Sequence, residues 1–502
     1  MRYGLVAHAP LRAPRHLLII AATAATLAAQ VPSHPRLLKF EPLDYQPPRA
    51  AQYRQVLSNG TVAYLVEDHV FPLVNISVLV RTGQYLDPPE KIGLAAAVGD
   101  GLRSGGTTTL SALDFDEEAD FLAATMISNI GDTQAIATLN CLSRNLDASL
   151  KLFFDMLRNP AFDAQRLSLY KTRRVQALAR RNDQTPSIEA REFERLLRGS
   201  NHFSTAQETG ASIDAITRED LLAFHKKYYQ PANFIFSVSG DFNSKEMLTR
   251  LEKAIAGWGG AKPEAASVPK PEHIPRPGFY TIDKPDVNQC RVSIGHLGIT
   301  RDNPDQYAVL IMNSILGGGA FTSRIVSRVR SDEGLAYNAG SAMPPGTYYD
   351  GTLRAYFQSK SESCAQAAAI VLEEIARIRK EKVSAEELAT AINYAVETFP
   401  RSFATPAQVA GTFAVDEYTR RPAGYWQSYR DRVRAVTVDD VLRVAQKYLQ
   451  PEKLVILTVG NVNDVLKGNP DRPQYSFQKL AGGRGIERLP LPDPLTMVYP
   501  KN

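Results

Sequence analysis

The feature that most constrains the fold is a repeat at a fixed offset of 220 residues. Residues 216–240 and 436–460 align without a gap, and both pair a polar, helix-like stretch with an apolar run. The identical pairs are Thr217/Thr437, Asp220/Asp440, Leu222/Leu442, Lys227/Lys447, Tyr228/Tyr448, Gln230/Gln450, Pro231/Pro451 and Gly240/Gly460. Chance does not produce this register within an apolar pattern, so the sequence predicts two related halves.

Each copy of the repeat predicts a helix followed by a buried strand. Thr217 and Thr437 are typical N-cap residues, and the aspartate three residues after each completes a pair that resembles a capping box. In both copies a proline ends the helix, because proline cannot continue it. The apolar run that follows is closed by glycine, as is typical of a buried strand.

The two halves also begin alike. Apolar runs around the turn pair Asn59–Gly60 predict a strand meander over residues 53–57, 62–66 and 73–80, and residues 279–283 and 291–298 occupy the equivalent place. Apolar residues at helical spacing follow in both halves. Strands, then helices, then a closing strand predict an α+β fold, with an antiparallel-rich sheet packed against helices in each half of about 220 residues.

The composition along the chain predicts six segments. They are a signal peptide (1–30), an N-terminal extension (31–52), an N-terminal domain (53–258), a proline-rich linker (259–277), a C-terminal domain (278–464) and a C-terminal tail (465–502).

The first thirty residues have the pattern of an export signal. Arg12 and Arg15 precede the short apolar run Leu17–Ala29, which is too short to span a bilayer comfortably. The sequence therefore predicts an exported, periplasmic protein with no membrane span once the signal is removed. The alternative is an uncleaved N-terminal anchor.

Charge and cysteine content narrow the function classes further. The formal charge is +5, and removal of Arg2, Arg12 and Arg15 with the signal would leave +5 − 3 = +2. No basic stripe remains, so nucleic acid is excluded as a partner. The cysteines Cys141, Cys290 and Cys364 allow one bridge at most, and we expect them to be small buried core residues.

Three stretches together resemble the pitrilysin/insulinase family of inverted-motif zinc metallopeptidases, in its small, processing-peptidase-like branch. They are LSNGTVAYLVEDHVFPLVNISVLVRTG at 57–83 with KIGLAAAVGDGLRSGGT at 91–107, the repeat block at 216–241, and SRIVSRVRSDEGLAY at 323–337. The resemblance runs from about Val56 to Gly460 and implies a clam-like shell of two related halves.

The chain departs from this family where zinc would bind. The family motif, H-x-x-E-H on a helix, supplies two zinc ligands and the glutamate that activates water. The equivalent positions here are Ala96, Gly99 and Asp100, and a third ligand is missing around Gln176 and Ala177. No two of the eight histidines are four residues apart. We therefore expect no metal and no cofactor in this chain.

The family's second-half motif is present. The resemblance implies that Arg330 and Tyr337, seven residues apart, hold the substrate backbone, since a guanidinium and a phenol can donate to a peptide carbonyl or its oxyanion. The alternative is that Arg330 pairs with Asp332 or Glu333 and that Tyr337 lies in the core. The run Gly317, Gly318 and Gly319 is interpreted as a mobile glycine-rich loop over the cavity.

These observations predict a zinc-free, non-catalytic subunit of an exported heterodimeric zinc metallopeptidase. It would complete the cavity and hold a peptide or unfolded-protein substrate, while a homologous partner subunit carries the zinc. The chain is not expected to be an enzyme on its own. The alternative is a stand-alone structural or peptide-binding pseudo-peptidase.

Overall fold

The structure is a computed structural model that describes residue 38 and residues 44–260 and 266–500. The chain divides into two compact units, residues 1–45 and 46–502, and the first has only Leu38, Asp44 and Tyr45 described. The predicted signal peptide lies outside the described residues. No helix in the described ranges is long and apolar enough to cross a membrane.

The first half of the second unit contains one six-stranded sheet and eight helices among its described residues. The strands are β1 (Arg54–Val56), β2 (Val62–Glu67), β3 (Leu73–Val80), β4 (Thr125–Ile130), β5 (Ala135–Leu142) and β6 (Phe234–Gly240). The helices are α1 (Leu94–Ser104), α2 (Ala112–Phe121), α3 (Leu146–Arg158), α4 (Ala164–Ala179), α5 (Thr185–Arg198), α6 (Gly210–Asp214), α7 (Arg218–Tyr228) and α8 (Ser244–Ile255).

The second half repeats this plan with a second six-stranded sheet. Its strands are β7 (Gly278–Asp283), β8 (Gln289–Leu297), β9 (Ala336–Ala342), β10 (Thr352–Lys360), β11 (Val455–Gly460) and β12 (Ile486–Leu489). Its helices are α9 (Gln306–Asn313), α10 (Arg324–Val326), α11 (Cys364–Lys380), α12 (Ala385–Thr398), α13 (Pro406–Thr419), α14 (Tyr425–Arg434), α15 (Val438–Tyr448), α16 (Val462–Lys467) and α17 (Phe477–Ala481). The predicted α+β fold with two related halves is confirmed.

Both copies of the sequence repeat have the predicted local structure. Thr217 caps α7 and Thr437 caps α15, and in each case the aspartate three residues later completes a capping box. The strands that follow, β6 and β11, are buried along nearly their whole length. The repeat therefore encodes the central strand of each sheet and the helix that leads to it.

The strand order differs from the predicted meander. The orders are β1-β2-β6-β3-β5-β4 and β12-β7-β11-β8-β10-β9. The repeat strand β6 lies between β2 and β3, parallel to β2 and antiparallel to β3. The meander prediction is therefore wrong between β2 and β3, because the apolar β6 returns from far along the chain to take the central place.

The two halves each place one helix on the other half's sheet. Ile188, Phe193 and Leu197 of α5 pack with apolar residues of β7 and β11 in the second sheet. In the opposite direction, α13 packs on β2 and β6, and its Phe413 stacks 6.2 Å from the ring of Tyr53. This exchange buries apolar surface from both halves in common, so it holds them together.

The cysteines are more than small core residues. Cys290 of β8 and Cys364 at the start of α11 form a disulfide, with their Cα atoms 6.7 Å apart. Cys141 of β5 is a buried free cysteine. All three cysteines are buried, as predicted, but Cys290 and Cys364 form the one bridge that the sequence allows instead of being free core residues, because folding brings together cysteines that are 74 residues apart.

Candidate functional site

The inverted-motif positions lie on α1, which packs against the edge strand β4 and the repeat helix α7. Ala96 is partly buried, Gly99 is buried and Asp100 is exposed, where it accepts a hydrogen bond from the Ser104 hydroxyl at 2.9 Å. None of these side chains is an imidazole, and the only carboxylate among them bonds within its own helix.

Gly99 leaves no room for the glutamate that would activate water. A Cβ at this position would lie 2.9 Å from the backbone nitrogen of Ile130 and 3.2 Å from the Cα of Asn129. The obstructing atoms belong to the backbone of β4, so a side-chain rotation cannot relieve the contact. The sequence shows that the glutamate is absent, and the structure shows that the β4 backbone leaves no space for its side chain.

The start of α1 is fixed by polar contacts. The carboxylate of Asp87 accepts hydrogen bonds from the backbone nitrogens of Gly93 and Ala95, at 2.9 and 2.8 Å. Burial raises the pKa of Asp87 to about 6, against the opposing effect of these two bonds. Lys91 pairs with Asp220 of α7 at 2.6 Å. The helix is therefore held in place although it carries no metal ligand.

The rest of the expected zinc set is also absent from the site. Gln176 and Ala177 are exposed on α4. Two histidines elsewhere in the chain already have polar partners. His69 contacts Asp241 and Glu67, and His202 bonds the Ser204 hydroxyl and the Pro269 carbonyl. Within the described ranges, no group of three His, Cys, Asp or Glu side chains has an arrangement that could hold a metal ion.

The second-half motif forms a cluster of a partly buried arginine and two exposed aromatic residues, which we call the arginine–aromatic cluster: Arg330, Phe321 and Tyr337. The Arg330 guanidinium lies over two rings, 4.6 Å from the centroid of Phe321 and 4.4 Å from that of Tyr337. Phe321 is 63% exposed and Tyr337 is 83% exposed. Stacking holds the guanidinium plane without occupying all of its N–H donors, which leaves donors free to meet an acceptor.

These contacts decide between the two interpretations of the motif's environment. An 83% exposed Tyr337 is not a core residue. Glu333 accepts a hydrogen bond from Gln366 instead of pairing with Arg330. Phe321 was missed by the sequence analysis, although its signal was present: a large aromatic residue stands almost directly after the glycine run.

The glycine run is packed closely against strand β9. Residues 314–318 form a π-helical turn, and Gly317 is buried where a Cβ would lie 2.6 Å from the backbone nitrogen of Ser341. Asn313 and Ser341 fix the same contact through hydrogen bonds of 3.3 and 2.8 Å. The glycines therefore permit close packing against β9, and this packing positions Phe321 in the turn that follows.

Comparisons with known proteins find relatives among the M16 peptidases and their inactive homologues. A family model described as the peptidase M16 inactive domain matches residues 215–394. An uncharacterized zinc protease of Rickettsia bellii is 23% identical over 66% of this chain and 79% of its own length. The non-peptidase homolog YmxG of Helicobacter pylori is 22% identical over 79% of this chain and 90% of its own length.

Solved structures show the same fold. A peptidase M16 inactive domain from Pseudomonas fluorescens superposes with a TM-score of 0.72 and 24% identity, covering 81% of this chain and 97% of that one. The periplasmic protease PqqL from Escherichia coli gives a TM-score of 0.69 and 15% identity, over 89% of this chain but 50% of PqqL. The family resemblance predicted from the sequence is confirmed: the chain is similar in sequence and fold to peptidase M16 (pitrilysin/insulinase) proteins, and it lacks the zinc motif.

Proposed function

We propose that this chain is the zinc-free subunit of an exported two-subunit metallopeptidase, in which it completes the cavity and holds the peptide. The observation that carries the proposal is the contrast between its halves. In the first half the backbone of β4 fills the space beside Gly99, whereas the second half carries the arginine–aromatic cluster at its surface. Two exposed aromatic rings beside a partly buried guanidinium are typical of a surface that binds a partner.

Two further observations support a paired assembly outside the cytosol. This chain aligns with half of PqqL, a periplasmic protease of Escherichia coli, so a second chain of similar fold would supply the remaining half. The Cys290–Cys364 disulfide is typical of oxidising compartments, which agrees with the export signal predicted for residues 1–30.

In this assembly Arg330 and Tyr337 act on the peptide and not on the metal. Both groups are hydrogen-bond donors, and they donate to a peptide carbonyl whose oxygen gains charge during hydrolysis. The zinc and the general base come from the partner chain. The competing function is a stand-alone peptide-binding protein. Such a protein would also need no metal ligands, and none are grouped together among the described residues.

The test uses co-expression with a zinc-bearing M16 chain from the same organism and turnover of a quenched peptide by the purified complex. Loss of one oxyanion donor costs on the order of a hundredfold in rate, so Tyr337→Phe should lower turnover by about that factor. Arg330→Lys should also impair turnover, because it keeps the charge but loses the planar fork. Tyr394→Phe is the matched control, since Tyr394 is 56% exposed on α12, outside the cluster.

The outcomes separate the two functions. Co-elution of the two chains with turnover that falls in Tyr337→Phe but not in Tyr394→Phe supports the subunit. A complex with equal turnover in all variants removes the peptide-holding role. Failure of the chain to co-elute with any zinc-bearing relative favours the stand-alone protein.

A further inference from the structure

A cavity of about 430 Å³ lies in the second half, away from the arginine–aromatic cluster. One wall is the loop of residues 301–306, and the other is the connection between α13 and α14, residues 421–425. Three arginines line it: Arg301 from the first wall, Arg421 from the second and Arg432 from α14. The proposed peptidase function leaves this cavity without a role.

Both walls are fixed by backbone hydrogen bonds. The amide of Arg301 donates to the Gly346 carbonyl at 2.9 Å, and that of Asn303 to the Thr300 carbonyl at 3.2 Å. Across the cavity, the amide of Arg421 donates to the Asp416 carbonyl at 2.9 Å. The cavity is therefore formed before any ligand arrives, which reduces the ordering cost of binding.

The arginine side chains are held in place but are incompletely paired. The Arg421 guanidinium stacks 4.2 Å from the ring centroid of Tyr425 and pairs with Asp416 at 2.9 Å. The Arg301 side chain is 11% exposed, and its Nε is buried without a hydrogen-bond partner. The carboxylate nearest to this Nε belongs to Asp302, which lies 3.7 Å away and is 74% exposed. The Nη2 of Arg301 donates to the Thr419 carbonyl, but its buried Nε has no hydrogen-bond acceptor, so this cation can donate a further hydrogen bond to an anion.

The local charge favours an anion. The cavity wall carries three guanidinium groups and the carboxylate of Asp302, and Asp416, which pairs with Arg421, is a second carboxylate close by, so the cations still outnumber the anions. Helix α14 begins in the same wall. Its N-cap residue is Gly424, which has no side chain that could cap the helix. The partial positive charge of a ten-residue helix therefore adds to that of the arginines.

We propose that this cavity, the Arg301–Arg421–Arg432 pocket, binds a ligand that carries a phosphate or a carboxylate group. Planar guanidinium groups match both oxyanions through paired N–H donors. The volume accommodates a small anion or one acidic end of a larger molecule. The site belongs to this chain alone, so its binding does not depend on the partner subunit of the proposed function.

The test compares two variants on the same helix. Arg432→Ala removes a guanidinium from the pocket, whereas Arg434→Ala, the control, removes an exposed arginine that pairs with Asp431 at 3.5 Å outside it. Binding of inorganic phosphate and of succinate to the purified full chain is measured by calorimetry and by the shift in melting temperature, against chloride at equal ionic strength. Arg432→Ala should weaken binding by about tenfold, and Arg434→Ala should leave it unchanged.

Each outcome decides the proposal. Binding of phosphate alone identifies a phosphate-bearing ligand, and binding of succinate alone a carboxylate-bearing one; either supports the pocket if Arg432→Ala weakens it selectively. Binding that falls equally in both variants reflects general surface charge and overturns the proposal. No binding of either anion beyond the chloride control also overturns it.

Discussion

Helix α1 of the first half and helix α9 of the second occupy equivalent places and are anchored in opposite ways. Each is tied to the repeat helix of its own half by ion pairs. In the first half the cation Lys91, just before α1, meets Asp220 of α7 at 2.6 Å. In the second half the anion Asp305, at the start of α9, meets Arg443 and Lys447 of α15 at 2.8 and 3.0 Å. The contact between the same two elements persists with its polarity reversed.

The aspartates beside the two helices differ accordingly. Burial raises the pKa of Asp87 to about 6. Partial burial would also raise the pKa of Asp305, but hydrogen bonds from Tyr448, Lys447 and Arg443 outweigh that effect and lower it to about 2. One carboxylate is therefore an electrostatic cost at neutral pH, and the other is a stabilising contact.

The comparison teaches that the repeat preserves the scaffold and not the chemistry. Five strands of each sheet follow the same order, and the capping boxes agree between the halves. The remaining edge strand differs, since β1 precedes β2 and runs antiparallel to it, whereas β12 follows β11 and runs parallel to β7. Both halves also pack a glycine against an edge strand, Gly99 against β4 and Gly317 against β9. The surfaces differ in that the π-helical segment Ser327–Asp332 of the second half carries Arg330.

The largest effect is expected for Gly99→Glu. A Cβ there meets the β4 backbone, and the carboxylate would be buried without a partner. We expect a loss of about 4 kcal/mol or more in the free energy of unfolding, measured by urea denaturation. Asp100→His on the exposed face of the same helix is the control and should change it by less than about 0.5 kcal/mol.

The combination Ala96→His, Gly99→Glu and Asp100→His should still bind no stoichiometric zinc, because Gln176 and Ala177 supply no third ligand. Elemental analysis of the refolded variant checks this. A variant that is as stable as the original chain and holds one zinc would contradict the closed-site description.

The next effect distinguishes the two contacts between the halves. Glu189 of α5 is 1% exposed and accepts hydrogen bonds from Arg354 and Ser293 of the second sheet. Glu417 of α13, which accepts from Arg54 and Tyr64 of the first sheet, is 27% exposed. Glu189→Ala should cost about 3 kcal/mol, because it leaves a largely buried arginine uncompensated, and Glu417→Ala about 1 kcal/mol. Equal losses in urea denaturation would show that the two contacts are energetically equivalent.

Sequence patterns predicted the local elements of this fold well. Capping boxes at Thr217 and Thr437 and the buried strands after them depend on neighbouring residues, which the sequence displays directly. The insertion of β6 between β2 and β3, the exchange of α5 and α13 and the Cys290–Cys364 bridge depend on distant pairings that no local pattern specifies. At the site, the sequence shows directly that the zinc-motif residues are absent. The contact between Gly99 and β4 could not be predicted, because it depends on the position of β4.

The two aspartates should give opposite pH dependences. Because the folded state holds the Asp87 proton more tightly than the unfolded chain, stability from this group falls as pH rises from about 4 to about 6. Asp87→Asn should therefore match the original chain near pH 4 and exceed it at pH 7, by about 2 kcal/mol. Differences in urea midpoint between variant and original, measured across this range, isolate the group from other titrations.

For Asp305 the sign is reversed. Its lowered pKa contributes stability that is present above about pH 4 and lost as pH falls toward 2. Asp305→Asn should be less stable than the original chain at pH 7, with a difference that disappears in acid. If both variants shifted in the same direction, the contrast between α1 and α9 would be wrong.

Tyr337→Phe is expected to have the smallest effect on the free energy of unfolding, although it is expected to lower peptide turnover strongly. Tyr337 is 83% exposed and contacts the Arg330 guanidinium through its ring, which phenylalanine retains. Tyr337→Phe should therefore change the free energy of unfolding by less than about 0.5 kcal/mol. Phe321→Ala removes one of the two rings and should cost about 0.5 to 1 kcal/mol, the value of an exposed cation–π contact. A loss of 2 kcal/mol or more in Tyr337→Phe would mean that the hydroxyl supports the fold, and a fall in turnover could then no longer be assigned to the peptide. A stable variant with lowered turnover would support the proposed contact between the Tyr337 hydroxyl and the peptide.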